Sequence, residues 1–560
     1  MNDLEKIVYE HGLLNAKKHK GKANPGAVVG SIMSTHSELR SKAKEIGQIA
    51  NSIVKNINEI NIENQEIEIA NLGIKTTEKK KKTEKGLPDL KNVDGMVVMR
   101  FAPNPSGPLH IGHARAVVPN SEYVKKYNGK LMLRIEDTDP KRIYEPAYKM
   151  IEEDIKWLTI EIDDTVVYQS DRFPIYYEYA EKLIKLSKAY VCTCTKDKFK
   201  RLKDESKPCP CRNLSVEENM ELWNEFPEMG VGQAVLRVKT DLSHKNPAIR
   251  DWVAMRIVDE KHPRLGDKYR VYPMMNFSVA IDDHLMEITH VLRGKDHLAN
   301  SEKQKYLYEH LNWKVPEFIH YGRLKMEDMA LSTSKAFEGI EDGTYTGWDD
   351  PRLGTLRAMG RRGIQAKTII DLMLEIGVKM SDSSISWKKI YGLNRKILEK
   401  FTNRYFFVSN PVKIQIKSNK KFSQNNSLKI KRPLHPDFLE RGDRELSFNG
   451  EVYIPMEDLK DGLLRLMDTI NITIFNGQAT FHSSSFEQAR EEKAKIIQWV
   501  PVNENINAEI VMSDNSIIKG LCEVAVRDLN VGDIVQFERF GFARLDKKEK
   551  DKLIFYFAHK

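Results

Sequence analysis

Two histidines three residues apart stand in the segment PNPSGPLHIGH, residues 103–113. On a helix this spacing places both imidazoles on one face, one turn apart. At a helix start, imidazole N–H groups can stabilise charge that develops on a phosphate, because the helix N-terminus already favours anions. Gly107 and Gly112 let the backbone approach such a ligand, and three prolines stiffen the turn. The segment therefore predicts a phosphate site in which His110 and His113 act.

The elements around this segment would place it at the edge of a sheet. MVVM (96–99) is strand-like, HARAVVPNSEYVKKY is helix-like, and GKLMLRIEDTD is strand-like again. A strand, a glycine-rich turn, a helix and a strand in this order predict a βαβ unit of an α/β domain. Such domains bind ligands at the carboxyl ends of their strands, where the two histidines would lie. Residues 270–311 repeat the order strand then helix.

Four of the five cysteines lie within twenty residues, as two close pairs: Cys192, Cys194, Cys209 and Cys211. Four thiolates in two pairs suit a tetrahedral zinc ion. The C-x-C spacing departs from the commoner C-x-x-C, so reduced thiols without metal remain the alternative. Cys522 stands alone in a strand-like run and is expected in the core.

Composition narrows the class of protein. The chain has 560 residues, 41% of them hydrophobic, and a net charge of +9. Its length predicts several domains, and no apolar run reaches the roughly 18 residues of a membrane span. The N-terminus has early acidic residues and no apolar segment, so we expect no signal peptide, no membrane association and a cytoplasmic protein. Two lysine-rich stretches, 75–85 and 410–432, suit a phosphate backbone or a solvated linker.

The motif PSGPLHIGHAR resembles the HIGH signature of class I aminoacyl-tRNA synthetases. The wider RFAPNPSGPLHIGHAR, followed by LRIEDTDP, is similar to glutamyl-tRNA synthetases, whereas glutaminyl enzymes resemble RFPPEPNG and RFDDTN there. GWDDPRLGTLRAMGRRGI, PLHPD and VGDIVQFERFGFARLD resemble the body and β-barrel module of the archaeal type, within the glutaminyl-like subfamily. The resemblance extends from about residue 95 to the end of the chain.

The resemblance and the sequence patterns together predict a multidomain protein around a Rossmann-like α/β catalytic domain. Residues 1 to about 75 have helical periodicity, and the short runs after 408 alternate like strands. The predicted regions are a helical extension and basic linker (1–90), the first half of the catalytic domain (91–190), an inserted acceptor-binding region with the cysteines (191–265), the second catalytic half (266–341), a helical region contacting the tRNA stem (342–407) and an all-β barrel anticodon module (408–560).

The resemblance assigns ATP to the HIGH segment and to a lysine loop. LSTSKA (331–336) lies where the family has that loop, and Ser334 and Lys335 match its Ser-Lys. Ser332 stands where the first lysine of the family loop would be, so Lys335 is the cation assigned to the β- and γ-phosphates, with Mg²⁺ on the outer phosphates. The catalytic residues are His110, His113 and Lys335. The implied ATP contacts are Pro103, Asn104, Pro105, Ser106, Gly107, Gly112, Arg323, Leu324 and Ser334.

The same resemblance implies how the amino acid is held. A carboxylate side chain calls for fixed guanidinium groups, and Arg100 and Arg293 match the arginines of the family. Glu136 would accept hydrogen bonds from the substrate ammonium. A family tyrosine falls near Met275, so we expect Tyr272 or Asn276 to replace it.

The predicted function is glutamate–tRNA ligation. ATP would activate L-glutamate to glutamyl-adenylate, and the glutamyl group would pass to the 3′ end of tRNA(Glu). The alternatives are a glutaminyl-tRNA synthetase and a non-catalytic tRNA-binding paralogue. We expect a monomer whose N-terminal extension binds tRNA or another protein. Phe422, Phe537 and Phe540 are candidates for stacking on anticodon bases, although strand aromatics are more often core residues.

Overall fold

The computed structural model describes residues 3–19, 21–72, 86–163, 165–327, 332–417 and 427–560. The lysine-rich run 75–85 and Phe422 lie outside these residues. The chain divides into two compact units, residues 1–85 and 86–560. Within the described ranges, no helix has the length and apolarity needed to cross a membrane.

The N-terminal unit is helical, which confirms the prediction from its periodicity. Asn24 and Asn61 begin two of the helices, each accepting a hydrogen bond from a backbone N–H in the first turn. The buried amide of Gln65 donates to the carbonyl oxygens of Gly21, Ile57 and Ile60, and so ties the last helix to two turns. The helices are α1 (Asp3–Lys18), α2 (Pro25–Thr35), α3 (Ala43–Glu59) and α4 (Ile62–Asn71).

The second unit begins with alternating strands and helices. Its strands up to residue 400 are β1 (Val98–Phe101), β2 (Lys130–Ile135), β3 (Val167–Tyr168), β4 (Ala189–Cys192), β5 (Val235–Val238), β6 (Val253–Ile257), β7 (Val271–Pro273), β8 (His290–Gly294), β9 (Glu317–Tyr321), β10 (Leu324–Met326) and β11 (Ser383–Ile385). Its helices there are α5 (Ile111–Lys126), α6 (Ala147–Trp157), α7 (Phe173–Lys185), α8 (Lys196–Asp204), α9 (Val216–Glu225), α10 (Met275–Leu285), α11 (Leu298–His310), α12 (Thr333–Glu341), α13 (Leu356–Arg362), α14 (Ala366–Ile376) and α15 (Trp387–Leu398).

The parallel strands form the α/β core. β1, β2 and β3 pair in that order, and β8 pairs with β9. The backbone N–H of Thr289 donates to the Val98 carbonyl at 2.9 Å, which places the start of β8 beside β1. The strand order therefore reverses between β1 and β8, and this is the position at which open α/β sheets form their ligand crevice.

An antiparallel sheet, β4-β5-β6-β7, interrupts the parallel core. Its first strand ends at Cys192, so the cysteine pairs lie at the edge of this inserted sheet. Beyond it, α13 to α15 form the predicted helical region.

The remaining residues form two seven-stranded, barrel-like sheets, ordered β12-β25-β26-β27-β23-β24-β13 and β21-β18-β19-β20-β14-β17-β22, and an antiparallel pair, β15-β16. Phe537 is fully buried, and Phe540 packs on Phe407 with ring centroids 5.0 Å apart. Phe537 is therefore a core residue and cannot stack on an anticodon base, whereas Phe540 is only partly buried against that core, and its stacking role stays a prediction. The elements are β12 (Asn403–Tyr405), β13 (Phe407–Ser409), β14 (Pro411–Lys417), β15 (Leu428–Pro433), β16 (Asp443–Phe448), β17 (Glu451–Pro455), β18 (Gly462–Leu466), β19 (Asn471–Phe475), β20 (Gln478–Ser483), α16 (Phe486–Glu491), β21 (Lys495–Ile497), β22 (Val500–Pro501), β23 (Asn505–Val511), β24 (Ile517–Glu523), β25 (Ile534–Phe537), β26 (Gly541–Lys548) and β27 (Lys552–His559).

Candidate active site

A cavity of about 530 Å³ opens where β1, β2 and β8 end. It lies at the reversal of strand order, at the carboxyl ends of the parallel strands. The predicted site residues that line it are Arg100, Pro103, Asn104, His113, Glu136 and Arg293, together with Met275. Three strand ends and the start of α5 therefore bring two guanidinium groups, a carboxylate and an imidazole around one space.

Arg100 is held in place by a buried carboxylate. Its Nε donates to Oδ1 of Asp283 at 3.1 Å, and Nη1 of Arg134 donates to the same oxygen at 2.8 Å. Nη2 of Arg134 donates to Glu136 at 3.1 Å. Of the three nitrogens in the Arg100 guanidinium group, only Nε makes a hydrogen bond to another described residue. The two terminal nitrogens therefore remain available to a ligand. The result is a rigid chain of alternating charges with Arg100 and Glu136 at the cavity wall.

Burial and neighbouring charges compete in this chain of ion pairs. Burial alone would raise the pKa of Asp283, but Arg100 and Arg134 attract its negative charge and lower the pKa overall. Burial raises the pKa of Glu136, and the attraction of Arg134 and Arg100 only partly offsets it. A ligand ammonium beside Glu136 would favour the carboxylate form, so this side chain suits a cationic group of the substrate.

Arg293 supplies the second guanidinium group. Its Nη2 donates to Gln304 at 2.6 Å, and its Cζ lies 4.8 Å from the centre of the Phe318 ring. Its buried Nε has no hydrogen-bond partner among the described residues. Burial and the nearby charge of Arg100 lower the pKa of Arg293 to about 10. Arg100 and Arg293 repel each other at the cavity, and an anion bound between them would offset that repulsion.

The two candidates for the missing tyrosine lie behind the cavity wall. Tyr272 is buried in β7 against Phe173, with ring centroids 5.0 Å apart, and does not line the cavity. Asn276 does not line the cavity either. It accepts a hydrogen bond from Gln304 at 3.4 Å, and Gln304 in turn accepts one from Arg293 at the cavity wall. Met275 occupies the wall itself.

The two histidines of the HIGH segment stack with ring centroids 3.9 Å apart. Nδ1 of His110 accepts a hydrogen bond from the Gly112 N–H, and Nδ1 of His113 accepts one from the His110 N–H. Burial lowers the pKa of His110 to about 4 and holds that of His113 well below its usual value. Both rings are therefore neutral near pH 7, and because each Nδ1 accepts, each proton resides on Nε2. Each ring can donate one N–H to a phosphate oxygen.

The glycines of this segment make room for its neighbours. A Cβ at Gly112 would lie 2.7 Å from the His110 ring, and one at Gly107 would lie 2.5 Å from the Thr333 side chain. Those separations are too short for any other residue. Thr333 begins α12, so the predicted Ser-Lys segment packs directly on the glycine-rich turn.

Buried contacts that the sequence did not reveal position the histidines. The backbone N–H of Leu109, next to His110, donates to Asp154 at 2.7 Å, and Arg357 donates to the other oxygen of that carboxylate at 3.1 Å. Burial raises the pKa of Asp154 to about 6 despite these contacts. The backbone of Leu109 and Ile111 also bonds to residues 354–356. The segment GTLRAMGRR, noted only for its family resemblance, is thus a clamp on the histidine turn.

The other predicted nucleotide residues lie in the glycine-rich turn, in α12 and at the start of β10. Asn104 donates to the Glu136 carbonyl at 2.8 Å, and the carbonyls of Pro103 and Pro105 accept backbone hydrogen bonds, so residues 103–107 form a fixed turn. Ser334 and Lys335 are exposed in the first turn of α12, which Ser332 caps. Arg323 and Leu324 lie at the start of β10 and do not line the cavity.

The four clustered cysteines converge. Their Sγ atoms all lie within 4.8 Å of one another, with Cys192 to Cys209 at 3.9 Å and Cys194 to Cys211 at 3.8 Å. Zn–S bonds of about 2.3 Å in a tetrahedron give sulfur–sulfur edges of about 3.8 Å. The donor set and its spacing fit a zinc ion.

Comparison with known families identifies the class. Residues 96–400 match the tRNA synthetases class I (E and Q) catalytic domain, and residues 402–487 and 496–546 match the two anti-codon binding domains of that family. The chain belongs to the class I tRNA synthetases of the E and Q family, which confirms the resemblance carried by its motifs.

Relatives covering the whole chain narrow the assignment to the archaeal glutamate–tRNA ligases. A glutamate–tRNA ligase of Methanobrevibacter smithii is 64% identical over 560 residues, covering 100% of each chain. Those of Methanothermobacter marburgensis and Methanocaldococcus jannaschii are 56% and 48% identical, again with 100% of each chain covered. This chain belongs with them.

Proposed function

We propose that this protein is an ATP-dependent ligase that joins L-glutamate to tRNA(Glu). The observation that carries the proposal is the cavity where Arg100 and Arg293 face Glu136, within a chain that belongs with glutamate–tRNA ligases along its full length. Two guanidinium groups favour an anionic side chain over a neutral amide, because an amide would leave them buried without a counter-charge. This selects glutamate over glutamine.

The first step joins glutamate to the α-phosphate of ATP, with pyrophosphate leaving. Glu136 holds the ammonium of glutamate, and Arg100 and Arg293 hold its side-chain carboxylate. The remaining carboxylate attacks the α-phosphorus. His110 and His113, neutral with Nε2–H available, donate hydrogen bonds to the phosphate oxygens on which charge develops. Lys335 neutralises the leaving pyrophosphate, and Mg²⁺ enters with ATP.

In the second step the terminal ribose hydroxyl of tRNA attacks the carbonyl carbon of glutamyl-adenylate, so that the glutamyl ester forms and AMP leaves with the bond to the phosphate broken. The proposed residues supply positioning and charge stabilisation rather than a covalent nucleophile. The regions matching anti-codon binding domains, 402–487 and 496–546, are where the tRNA is read. The enzyme works as a cytoplasmic monomer, and residues 1–85 supply a further contact for tRNA or a protein.

Zinc held by Cys192, Cys194, Cys209 and Cys211 would cross-link the end of β4 to the segment after α8. Removal of zinc by a chelator is expected to lower the thermal unfolding midpoint without abolishing glutamate binding. Metal analysis should give one zinc per chain, and a Cys209→Ser, Cys211→Ser double variant should contain none. A metal-free wild-type chain of unchanged stability would support the reduced-thiol alternative.

The decisive experiment offers glutamate and glutamine separately, each with purified glutamate tRNA and glutamine tRNA. We expect glutamate tRNA to be charged with glutamate and not with glutamine. Charging with glutamine would support a glutaminyl enzyme, and the absence of ATP–pyrophosphate exchange even with tRNA present would support a non-catalytic paralogue. Charging of glutamine tRNA with glutamate would extend the substrate range.

A further inference from the structure

A second cavity, of about 460 Å³, lies at the other end of the parallel strands. It is lined by residues 92–97, before and at the approach to β1, by residues 288–290, at the approach to β8, and by residues 314–317, at the approach to β9. The substrate cavity lies at the carboxyl ends of these strands, so the two spaces face opposite edges of the same sheet.

Two buried polar atoms at this second cavity lack partners. Asp283 and Tyr308 line it and are each 1% exposed. Oδ2 of Asp283 and the hydroxyl of Tyr308 have no hydrogen-bond partner among the described residues. Native proteins satisfy nearly all buried polar atoms, because an unpaired one costs roughly 1–3 kcal/mol. Each atom is therefore a buried acceptor whose hydrogen-bonding capacity is unused.

The two oxygens of Asp283 differ in their contacts, because Oδ1 makes both ion pairs and Oδ2 makes none. Its Oδ1 accepts hydrogen bonds from Arg100 and Arg134, whose attraction overcomes the effect of burial and lowers the pKa of the carboxyl group. Burial and the nearby charge of Asp283 raise the pKa of Tyr308, so the phenol is neutral. The pair offers a carboxylate oxygen and a hydroxyl group that can each accept a hydrogen bond.

The other walls indicate what kind of ligand fits. Three further carboxylates and one lysine, Lys314, are among the residues that line the cavity. Lys314 pairs with Asp94 at 3.2 Å. Arg100 and Arg134 balance the charge of Asp283, and Lys314 balances that of Asp94. The negative charge of the walls therefore comes from Glu287 and Glu317, and the remaining surface is largely aliphatic. The further carboxylates are Asp94, Glu287 and Glu317, and the aliphatic residues are Met96, Val97, Ile288, Val315 and Pro316.

A metal ion is a poorer fit than an organic cation. Among the described residues, the cysteine cluster is the group whose ligand atoms converge closely enough for a metal, and the carboxylates here do not form another. Calcium requires six to eight oxygen ligands. An ammonium ion needs only two or three acceptors, and an alkyl chain attached to it can cover the aliphatic wall.

We propose that the second cavity binds a small aliphatic ammonium ion. Its N–H groups donate to Oδ2 of Asp283 and to the Tyr308 hydroxyl, and its alkyl chain lies against Met96 and Val315. Because Oδ1 of Asp283 holds Arg100 at the substrate cavity, the bound ammonium shares this carboxylate with the substrate site. Any change it causes in glutamate affinity must be matched by an equal change that glutamate causes in ammonium affinity.

The test uses the full chain without tRNA and 1,4-diaminobutane as the probe. Titration calorimetry is expected to show saturable binding with one molecule per chain. The uncharged analogue 1,4-butanediol has the same length and should not bind. Absence of saturable diamine binding, or equal binding of the diol, would overturn the proposal.

A matched pair of variants locates the site. Tyr308→Phe removes the unpartnered hydroxyl and is expected to weaken diamine binding about tenfold or more. Tyr453→Phe, in β17, is the control and should bind like the wild type. Thermal unfolding midpoints of both variants establish that they fold. Diamine affinity within twofold of wild type in Tyr308→Phe would contradict the assignment.

Glu136 of the substrate cavity could also attract an ammonium ion, so a competition arm is needed. Diamine binding should persist at saturating glutamate, with at most a shift in affinity. Complete competitive displacement by glutamate would place the cation in the substrate cavity and overturn the proposal. Neither result depends on whether the protein charges tRNA.

Discussion

The two ends of the proposed active site are built differently. At the amino-acid end, Arg100 is fixed through Asp283 to Arg134, and all three side chains are buried. At the phosphate end, Lys335 is exposed in the first turn of α12. Charges fixed before binding discriminate between substrates, since they cannot rearrange to suit the wrong one. An exposed lysine contributes when the nucleotide reaches it. Specificity should therefore depend on the first end and the rate of phosphate chemistry on the second.

The largest expected effect is at the amino-acid end. Arg293→Ala should lower kcat/KM for glutamate by about 10³-fold, because loss of one charge from a buried pair costs about 4 kcal/mol. The KM for ATP should stay within threefold of wild type. Steady-state aminoacylation at varied glutamate and varied ATP measures both. A loss of less than tenfold in kcat/KM for glutamate would show that Arg100 alone holds the substrate carboxylate.

The phosphate end should respond in the opposite manner. Lys335→Ala should reduce the rate of adenylate formation about 10²-fold while glutamate KM changes less than threefold, because the lysine acts on charge in the transition state. ATP–pyrophosphate exchange in the presence of tRNA measures the rate. Lys367→Ala, another exposed lysine, in α14, is the control and should retain wild-type exchange. Equal losses in rate and in glutamate affinity would remove the distinction between the two ends.

A third variant tests the clamp on the histidine turn. Asp154→Asn keeps an oxygen that can accept from the Leu109 N–H but loses the charge that faces Arg357. We expect adenylate formation to slow about tenfold, in keeping with one weakened charged hydrogen bond. Glutamate KM should not change. Activity equal to wild type would mean that residues 354–356 alone hold the turn.

Much of this arrangement could be predicted from the sequence because local patterns carried it. The strand, the turn and α5 are adjacent in the chain, so the position of His110 and His113 at a strand end followed from a short segment. The helical N-terminal unit and the β-rich C-terminal part followed from periodicity in the same way. Family membership followed from motifs that are themselves continuous.

The contacts that hold the site could not be found in this way, since they join distant segments. Asp283 meets Arg100 across 183 residues, and Asp154 meets Arg357 across 203. The pair Asp282-Asp283 within the apolar stretch of α10 was the one available signal, because adjacent acids in an apolar helix need buried cations. Tyr272 was expected to replace the family tyrosine only because it lies close to Met275 in the sequence. Strand β7 directs the Tyr272 side chain into the core instead.

The smallest effect separates the clamp from the histidines by pH. The pKa of His110 is lowered to about 4, so His110 stays neutral throughout the range from pH 7 to pH 5. The pKa of Asp154 is raised to about 6, so this carboxyl group gains its proton within that range as the pH falls. At pH 5.5 about three-quarters of the Asp154 groups are protonated, and if protonation mimics Asp154→Asn, adenylate formation should fall about threefold.

The rate of ATP–pyrophosphate exchange, measured from pH 7.5 to pH 5 in wild type and Asp154→Asn, tests this assignment. The decline with a midpoint near pH 6 should disappear from the variant, since asparagine does not titrate. A decline with a midpoint near pH 6.5 in both proteins would mean that the imidazoles gain a proton there, as ordinary histidines do. In that case the two Nδ1 atoms do not fix the neutral form, and the phosphate end is held by positive charge on the histidines rather than by oriented N–H groups.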